Sequence, residues 1–212
     1  MLPNNLRSAF EELDKLKDPK WAYTLISKDN NRELEVRFDP SENEGLRYNL
    51  LSVDGREPTD DERHQFQDRK TKANKKSFSF NVKSMPNMAK IVHHSSLTKV
   101  AENDDVIRYQ FDPVLDIPII RNVMRKMRGE LSFCKKHKMI SDIRIENITA
   151  FSPIPSFNIS QFFAEAYFQR DASGQLQLHK TESLVRGKKF FVSSLHQATT
   201  TLYSDYVRVI AG

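Results

Sequence analysis

Bulky apolar residues recur at every second position in several short segments of this chain, and this alternation constrains the fold more than any other feature. Trp21, Tyr23 and Leu25 point one way from a predicted strand, and Ala, Thr and Ile stand between and after them. Segments 33–38 and 48–52 repeat the pattern after turns rich in Asp and Asn. Because successive side chains of a β-strand point to opposite faces, these segments predict strands that gather aromatic residues on one face.

The same alternation returns in the rest of the chain. Segments 77–82 and 107–111 carry Phe or Tyr at alternate positions, and short alternating segments continue from Leu131 to Val207 between polar turns. About ten strands result, with almost no spacing for crossover helices. We therefore expect a mainly β (α+β) fold, in which a strongly curved antiparallel sheet forms a half-open β-barrel covered by a few helices. Residues 1–212 are expected to form this single domain.

Four segments depart from the alternation and predict helices or a crossover. Residues 5–17 carry apolar side chains at helical spacing and predict an amphipathic helix that can cover the sheet. Thr59 is followed by acidic residues in the manner of a capping box, which predicts a charged helical insertion near 57–76. Residues 85–99 predict a short helix or an irregular crossover, and residues 119–128 predict one or two basic helical turns.

The shared aromatic face predicts an apolar binding surface. Burying aliphatic chain against such a surface is favourable by about 25 cal/mol per Å². An aromatic residue on an alternating strand is also an ordinary core residue, so the pattern leaves open whether the protein fills this face itself or leaves a cavity. The candidate lining residues are Trp21, Tyr23, Leu25, Phe38, Tyr48, Leu50, Phe78, Phe80, Tyr109 and Phe111.

The sequence offers no catalytic or metal-binding motif. It contains no GxSxG, HExxH, P-loop, GxGxxG or DxDxDG pattern. His93 and His94 would point in opposite directions on an extended chain, so they are not expected to share a metal ion. Cys134 is the only cysteine, which excludes an internal disulfide and a CxxC site. We therefore predict a protein that is not an enzyme and that uses no metal and no cofactor.

The net charge is mild for a chain of this length. It is +5, from 33 Lys and Arg against 28 Asp and Glu. Basic clusters lie at 69–76, 121–128 and 135–138, but they lack the RNP-like strings of RNA-binding sheets. The sequence therefore predicts no nucleic-acid partner, and it contains no run of about 18 apolar residues that would predict a membrane-spanning helix.

Four short motifs stand out in the second half of the chain. They are Gly129-Glu130-Leu131-Ser132-Phe133, Ile143-Arg144-Ile145, Val185-Arg186-Gly187-Lys188-Lys189-Phe190 and Tyr203-Ser204-Asp205-Tyr206. Together with the opening helix and the strand pair that begins at Trp21, the pattern resembles the LolA/LolB-like outer-membrane lipoprotein carriers over most of the chain. The resemblance implies a half-open barrel lidded by helices, an apolar cavity for acyl chains and a bacterial periplasmic setting.

The chain departs from these carriers in two respects. No export signal is found at its start, and the helix near 57–76 is more highly charged than expected for the family. No acyl-contacting residue of the carriers can be matched to a position here, so the candidate site depends on the alternation alone.

Two functions from different classes fit this pattern. The first is a non-enzymatic binding or carrier protein that accommodates a lipid, an acyl chain or a lipidated protein in an apolar cavity between sheet and helices. Peripheral contact with a membrane is part of that expectation. The second is a filled-core protein-interaction or scaffolding domain of the bacterial cell envelope. The basic clusters and the charged helix favour this second function.

Overall fold

A computed structural model of the protein describes residues 3–16, 21–76, 88–114, 121–153, 155–190 and 193–209. The side chains of residues 69–76, 88–89 and 121–122 are not part of that description. The predicted strand at 77–82, with Phe78 and Phe80, therefore lies outside the described residues.

Helices and strands follow one another in an order close to the one predicted. The helices are α1 (Asn4–Lys15), α2 (Asp60–Lys76), α3 (Met88–Ile91) and α4 (Arg121–Met124), with a 3₁₀ turn at His94–Ser96. The strands are β1 (Trp21–Asp29), β2 (Glu33–Phe38), β3 (Tyr48–Val53), β4 (Thr98–Glu102), β5 (Val106–Phe111), β6 (Met127–Cys134), β7 (Met139–Asn147), β8 (Phe157–Arg170), β9 (Leu176–Lys189) and β10 (Ser193–Arg208).

Within the described parts of the chain, ten strands form one sheet. They are hydrogen-bonded in the order β3-β2-β1-β10-β9-β8-β7-β6-β5-β4, so nearly every strand pairs with its neighbour in sequence. The registered pairs are antiparallel. This confirms the mainly β class and the meander of short turns.

Two local predictions need correction. Residues 98–102 form β4, which the sequence did not predict because all five of its side chains are exposed and show no alternation. Arg128 was assigned to a basic helical turn but lies in β6, because α4 ends at Met124 and the strand begins three residues later. Of the one or two turns predicted near 119–128, the described residues form the single turn α4.

The chain divides into two compact units. The larger unit comprises Met1–Lys17 and Pro86–Ala198, and the smaller unit comprises Asp18–Met85 and Thr199–Gly212. The larger unit holds β4 to β9 with α1, α3 and α4, and the smaller unit holds β1 to β3, α2 and most of β10. The single domain expected from the sequence stays a prediction.

In the larger unit, α1 covers one face of the sheet. Its Leu6, Ala9, Phe10 and Leu13 are buried, as the helical spacing predicted, and the helix packs against α3 and β7. Asn5 Nδ2 donates a hydrogen bond to the Tyr109 hydroxyl on β5 at 3.2 Å. These contacts make α1 a structural cover of the larger unit.

A salt bridge and a ring contact also hold α1 in place. Arg170, at the end of β8, pairs with both carboxylate oxygens of Glu12 at 2.8 and 3.3 Å. The ring of Phe10 lies 4.7 Å from that of His94, in the 3₁₀ turn. The 3₁₀ turn therefore supports the opening helix.

In the smaller unit, α2 begins with the predicted capping box. The Thr59 backbone N–H donates to a Glu62 carboxylate oxygen at 3.0 Å, and the Glu62 backbone N–H donates to the Thr59 hydroxyl at 3.3 Å. Glu62 also pairs with Arg56 through two 2.9 Å contacts and with Arg32 at 2.6 Å. The Glu62 carboxylate therefore joins the start of α2 to the turn before β2, which carries Arg32, and to the turn after β3, which carries Arg56.

Polar side chains of α2 donate hydrogen bonds to backbone carbonyls at the outer edge of β3. Arg63 donates to the Leu50 carbonyl at 3.0 Å, and Gln67 donates to the Tyr48 carbonyl at 2.8 Å. Strand β3 is the last in the hydrogen-bonding order, so its outward carbonyls would otherwise be open to pairing with another strand. The charged helix thus protects a sheet edge, which explains its thin apolar content.

Glu62 should make the stability of this unit sensitive to acid. Its hydrogen bonds with Arg56 and with the Thr59 backbone lower its pKa from the ordinary 4.5 to about 2. A lowered folded-state pKa stabilises the fold fully above about pH 4.5, and that stabilisation is lost as the pH falls towards 2. We expect Glu62→Gln to lower the urea midpoint at pH 6, with a difference from wild type that shrinks at pH 3. The same substitution at Glu44, exposed in the β2–β3 loop, should leave both midpoints unchanged, and an equal effect at the two sites would contradict this role.

No helix in the described ranges is long and apolar enough to cross a membrane.

Candidate functional site

A cluster of aromatic rings lies on one face of the smaller unit. In the antiparallel register, Tyr23 on β1 is directly opposite Phe38 on β2, and Phe38 is directly opposite Tyr48 on β3. Directly opposite residues share a face of the sheet. The ring centroids of both neighbouring pairs are 4.9 Å apart, so three strands contribute one continuous row of rings.

A β-bulge in β10 adds two further tyrosines to this row. Ala22 pairs with Val207 and Thr24 with Ser204, so Tyr23 alone stands opposite two residues of β10. The rings of Tyr203 and Tyr206 consequently both contact the ring of Tyr23, at centroid distances of 5.8 and 5.4 Å. We refer to these five residues as the tyrosine cluster: Tyr23, Phe38, Tyr48, Tyr203 and Tyr206.

The bulge is fixed from the opposite face of the sheet. Asp205 adopts a positive φ of 52°, a conformation that Asp tolerates better than most residues. Arg37 donates from its guanidinium to the Asp205 carbonyl at 3.0 Å and to the Thr24 hydroxyl at 3.2 Å. The arginine thereby holds the backbone geometry that presents two tyrosines to the cluster.

An aliphatic row lies next to the rings on the same face. Leu25, Val36 and Leu50 are directly opposite one another across β1, β2 and β3, and Tyr203 completes the row on β10. These four side chains are buried, whereas Tyr23, Phe38 and Tyr206 are only half-buried. Solvent exposure on this face therefore increases from the aliphatic row, which is buried, to the aromatic rings, which are partly exposed.

The tyrosine hydroxyls keep this surface uncharged. Burial is the main cause that raises the pKa of Tyr23 and of Tyr206 well above the ordinary value of 10.0, and burial also raises the pKa of Tyr48. A hydrogen bond between the hydroxyls of Tyr23 and Tyr48 adds to the rise for Tyr23. All three phenols are therefore neutral near pH 7 and supply only neutral hydrogen-bonding groups beside the rings.

The structure brings together five of the ten predicted lining residues. Tyr23, Leu25, Phe38, Tyr48 and Leu50 share the face described above. Trp21 lies half-buried at the start of β1, opposite Arg208. Phe78 and Phe80 lie outside the described residues, so their predicted place in the lining stays a prediction.

Tyr109 and Phe111 are buried in the core of the larger unit. Tyr109 accepts the hydrogen bond from α1, and the Phe111 ring occupies the space that a side chain at Gly129 would need. Both residues therefore have packing roles of their own. Alternation predicted their burial correctly but could not assign them to a unit.

Sequence reasoning missed Tyr203 and Tyr206 as members of the site. The Tyr-Ser-Asp-Tyr ending was noted, but residues three apart point to opposite faces of a regular strand. Only the bulge brings both rings to one face. An Asp in a tyrosine-rich strand was the available signal, because Asp is depleted in strands and tolerates positive φ.

The described residues contain no group of three or more His, Cys, Asp or Glu that could hold a metal ion. His93 contacts the Ser95 hydroxyl at 3.1 Å, and His94 stacks on Phe10.

No protein-family model, no curated protein and no solved structure matches this chain.

Proposed function

We propose that this protein is a non-enzymatic binding or carrier protein for an apolar chain, such as a lipid acyl chain or the acyl group of a lipidated protein. The tyrosine cluster and the aliphatic row beside it form the contact surface. The half-open barrel and the periplasmic setting implied by the family resemblance belong to the same proposal.

The observation that carries the proposal is the partly open aromatic surface of the smaller unit. A core residue gains most when fully buried, yet Tyr23, Phe38 and Tyr206 stay half-buried as whole residues, and their rings belong to one contiguous aromatic row. Contiguous apolar surface that stays partly accessible is a candidate binding surface. An apolar guest would remove the exposed ring area from water at about 25 cal/mol per Å².

The polar groups at the surface fit the same ligand class. The phenol hydroxyls are neutral, so a guest need not carry a charge to enter, and they can hydrogen-bond an ester, amide or carboxyl group at the head of the chain. Arg37 lies on the other face, where it holds the bulge. The surface therefore offers neutral groups and apolar rings to a long apolar ligand.

Substitution at the centre of the cluster provides the test. Phe38→Ser removes the ring that links Tyr23 to Tyr48, and its half-exposed position limits the loss of stability. We expect palmitate, titrated by displacement of an apolar fluorescent dye, to bind about tenfold more weakly, since part of a Phe contact is worth about 1.4 kcal/mol. Tyr23→Phe keeps the ring area and should bind within about twofold of wild type.

The matched control is an exposed residue on the neighbouring strand that is not part of the cluster or the aliphatic row. Leu51 on β3 is 40% exposed and is the extra residue of the β3 irregularity next to Leu50. Leu51→Ser should bind palmitate as the wild type does. No detectable binding by the wild-type protein, or equal losses for Phe38→Ser and Leu51→Ser, would contradict the proposed site.

A further inference from the structure

One end of the larger unit gathers strand ends and loops from distant parts of the sequence. Met127, at the start of β6, pairs with Asn147, at the end of β7. Phe157, at the start of β8, pairs with Lys189, at the end of β9. The Phe190 N–H, just after β9, donates to the Ser156 carbonyl, just before β8, at 2.7 Å. This hydrogen bond joins the loop after β9 to the loop before β8. We call the described segments 123–129, 147–153, 155–164 and 183–190 the basic end.

Strands β8 and β9 extend the basic end beyond their neighbour. The last pair of β7 with β8 is Glu146 with Phe163, so residues 157–162 of β8 continue past β7. Six extended residues span about 20 Å. Residues 157–159 of this extension pair with β9, and a bridge between Phe151 and Ile159 attaches the preceding loop to it. The extension therefore continues past the last β7 pair and is held by β9 and by the preceding loop.

The basic end carries cations and no acidic residue. Its Lys and Arg residues are Arg125, Lys126, Arg128, Arg186, Lys188 and Lys189, and the four segments contain no Asp or Glu. All of them except Arg128 are exposed. Acidic residues flank the segments directly: Glu130, Glu146, Glu165 and Glu182. Glu146 pairs with Arg128 and Arg144, and Asp112 follows β5 at the same end. Within these described segments the exposed cations therefore have no acidic residue between them, in a protein whose net charge is only +5.

Exposed apolar side chains lie among these cations. Phe190 is 60% exposed and Ile148 is 53% exposed. The Lys189 ammonium lies 5.4 Å from the Phe190 ring centroid and 5.7 Å from that of Phe157. Phe190 also adopts a positive φ of 50°, which is unusual for a bulky side chain and holds its ring at the turn after β9.

The opposite end of the same unit has a different character. Its turn at 135–138 is basic, but the Lys135 N–H donates to the Asp105 carbonyl at 2.8 Å and its ammonium pairs with Glu102 at 2.6 Å. Asp171 forms the β8–β9 turn at that end. Positive and negative groups are therefore mixed there, and Lys136 and Lys138 are exposed within that mixture.

We propose that the basic end docks this protein on the surface of an anionic lipid bilayer, with Phe190 inserted at the level of the head groups. Exposed lysines and arginines attract anionic lipids, and an inserted apolar side chain supplies the second contribution that stable peripheral binding needs. Single-stranded nucleic acid would need rings laid flat as a stacking platform. Among the described residues of this end Phe190 is the strongly exposed ring, and it lies in the turn after β9, which favours insertion into lipid over stacking. The proposal goes beyond ligand binding and concerns the other unit of the chain.

The test is co-sedimentation of the full chain with vesicles of 30% phosphatidylglycerol and 70% phosphatidylcholine, compared with pure phosphatidylcholine. Lys188→Ser with Lys189→Ser should weaken partitioning to the anionic vesicles about 25-fold, or about fivefold for each charge removed. Phe190→Asn should weaken it about tenfold with no loss of stability, because Asn tolerates the positive φ. Raising the salt from 0.1 to 0.5 M should release the wild-type protein.

The matched control removes two charges from the opposite end. Lys136→Ser with Lys138→Asn should change partitioning less than twofold, where Asn again suits the positive φ of 49° at position 138. Equal binding of the wild-type protein to neutral and anionic vesicles would overturn the proposal, as would equal losses for the two charge variants. Tighter binding to a 20-nucleotide single-stranded RNA than to anionic vesicles, lost with Lys188 and Lys189, would assign the basic end to nucleic acid instead. Palmitate binding at the tyrosine cluster should persist in all these variants, which separates this proposal from the proposed function.

Discussion

Gly187→Ala is expected to lower the free energy of unfolding by about 3 kcal/mol, at the upper end of the usual cost of overpacking. Gly187 pairs with Ile159 between β9 and β8, next to a register shift that brings the two backbones close together. A Cβ at this position would overlap the Asn158 carbonyl oxygen and would lie 3.0 Å from the Ile159 Cα. Because these are backbone atoms, the clash is relieved only by moving the two strands apart.

The same change at Gly45 is the control for this prediction. A Cβ there would have no atom within 4 Å, and Gly45 lies in the exposed loop between β2 and β3. Gly45→Ala should leave stability within about 0.5 kcal/mol of wild type. Urea unfolding followed by circular dichroism measures both variants. Equal midpoints for Gly187→Ala and Gly45→Ala would show that the β8–β9 register is wrong at this point.

Leu131→Ala should destabilise the larger unit by about 2–5 kcal/mol. Leu131 is fully buried in β6, directly opposite Tyr109 on β5 and Ile143 on β7, on the face that α1 covers. Truncation removes apolar contacts and leaves a cavity that a backbone fixed in a sheet cannot collapse to fill. The loss should appear as a lower urea midpoint.

Leu46→Ala is the matched truncation at the surface. Leu46 is 60% exposed, so its change should stay within about 0.5 kcal/mol. If Leu131→Ala costs no more than Leu46→Ala, the α1-covered face is not the core of the larger unit. Leu131→Met, which nearly conserves volume, should recover most of the stability and distinguishes the cavity from a loss of strand pairing.

Alternation predicted the regular part of the site because period two is a direct consequence of strand geometry. Tyr23, Phe38 and Tyr48 belong to strands whose registers keep directly opposite residues on one face, so each could be placed from its own segment. The capping box at Thr59 likewise predicted the start of α2, because the hydrogen bonds involve residues only three apart.

The rest of the site depends on contacts that local patterns do not encode. Tyr206 joins the cluster through a bulge that is held by Arg37, a residue 168 positions away from Asp205 in the chain. Tyr109 shows the same alternation as Tyr23 yet lies in the core of the other unit. Periodicity predicts that a face is buried but does not say what it is buried against.

Photo-cross-linking with a diazirine-bearing palmitate tests the central claim, that an apolar chain binds at the tyrosine cluster of the smaller unit. After irradiation and proteolysis, mass spectrometry should find the label on peptides that carry Tyr23, Phe38, Tyr48 or Tyr206, and unlabelled palmitate should compete it away. Label confined to the β5 peptide with Tyr109 and Phe111, or label that unlabelled palmitate does not reduce, would contradict the claim.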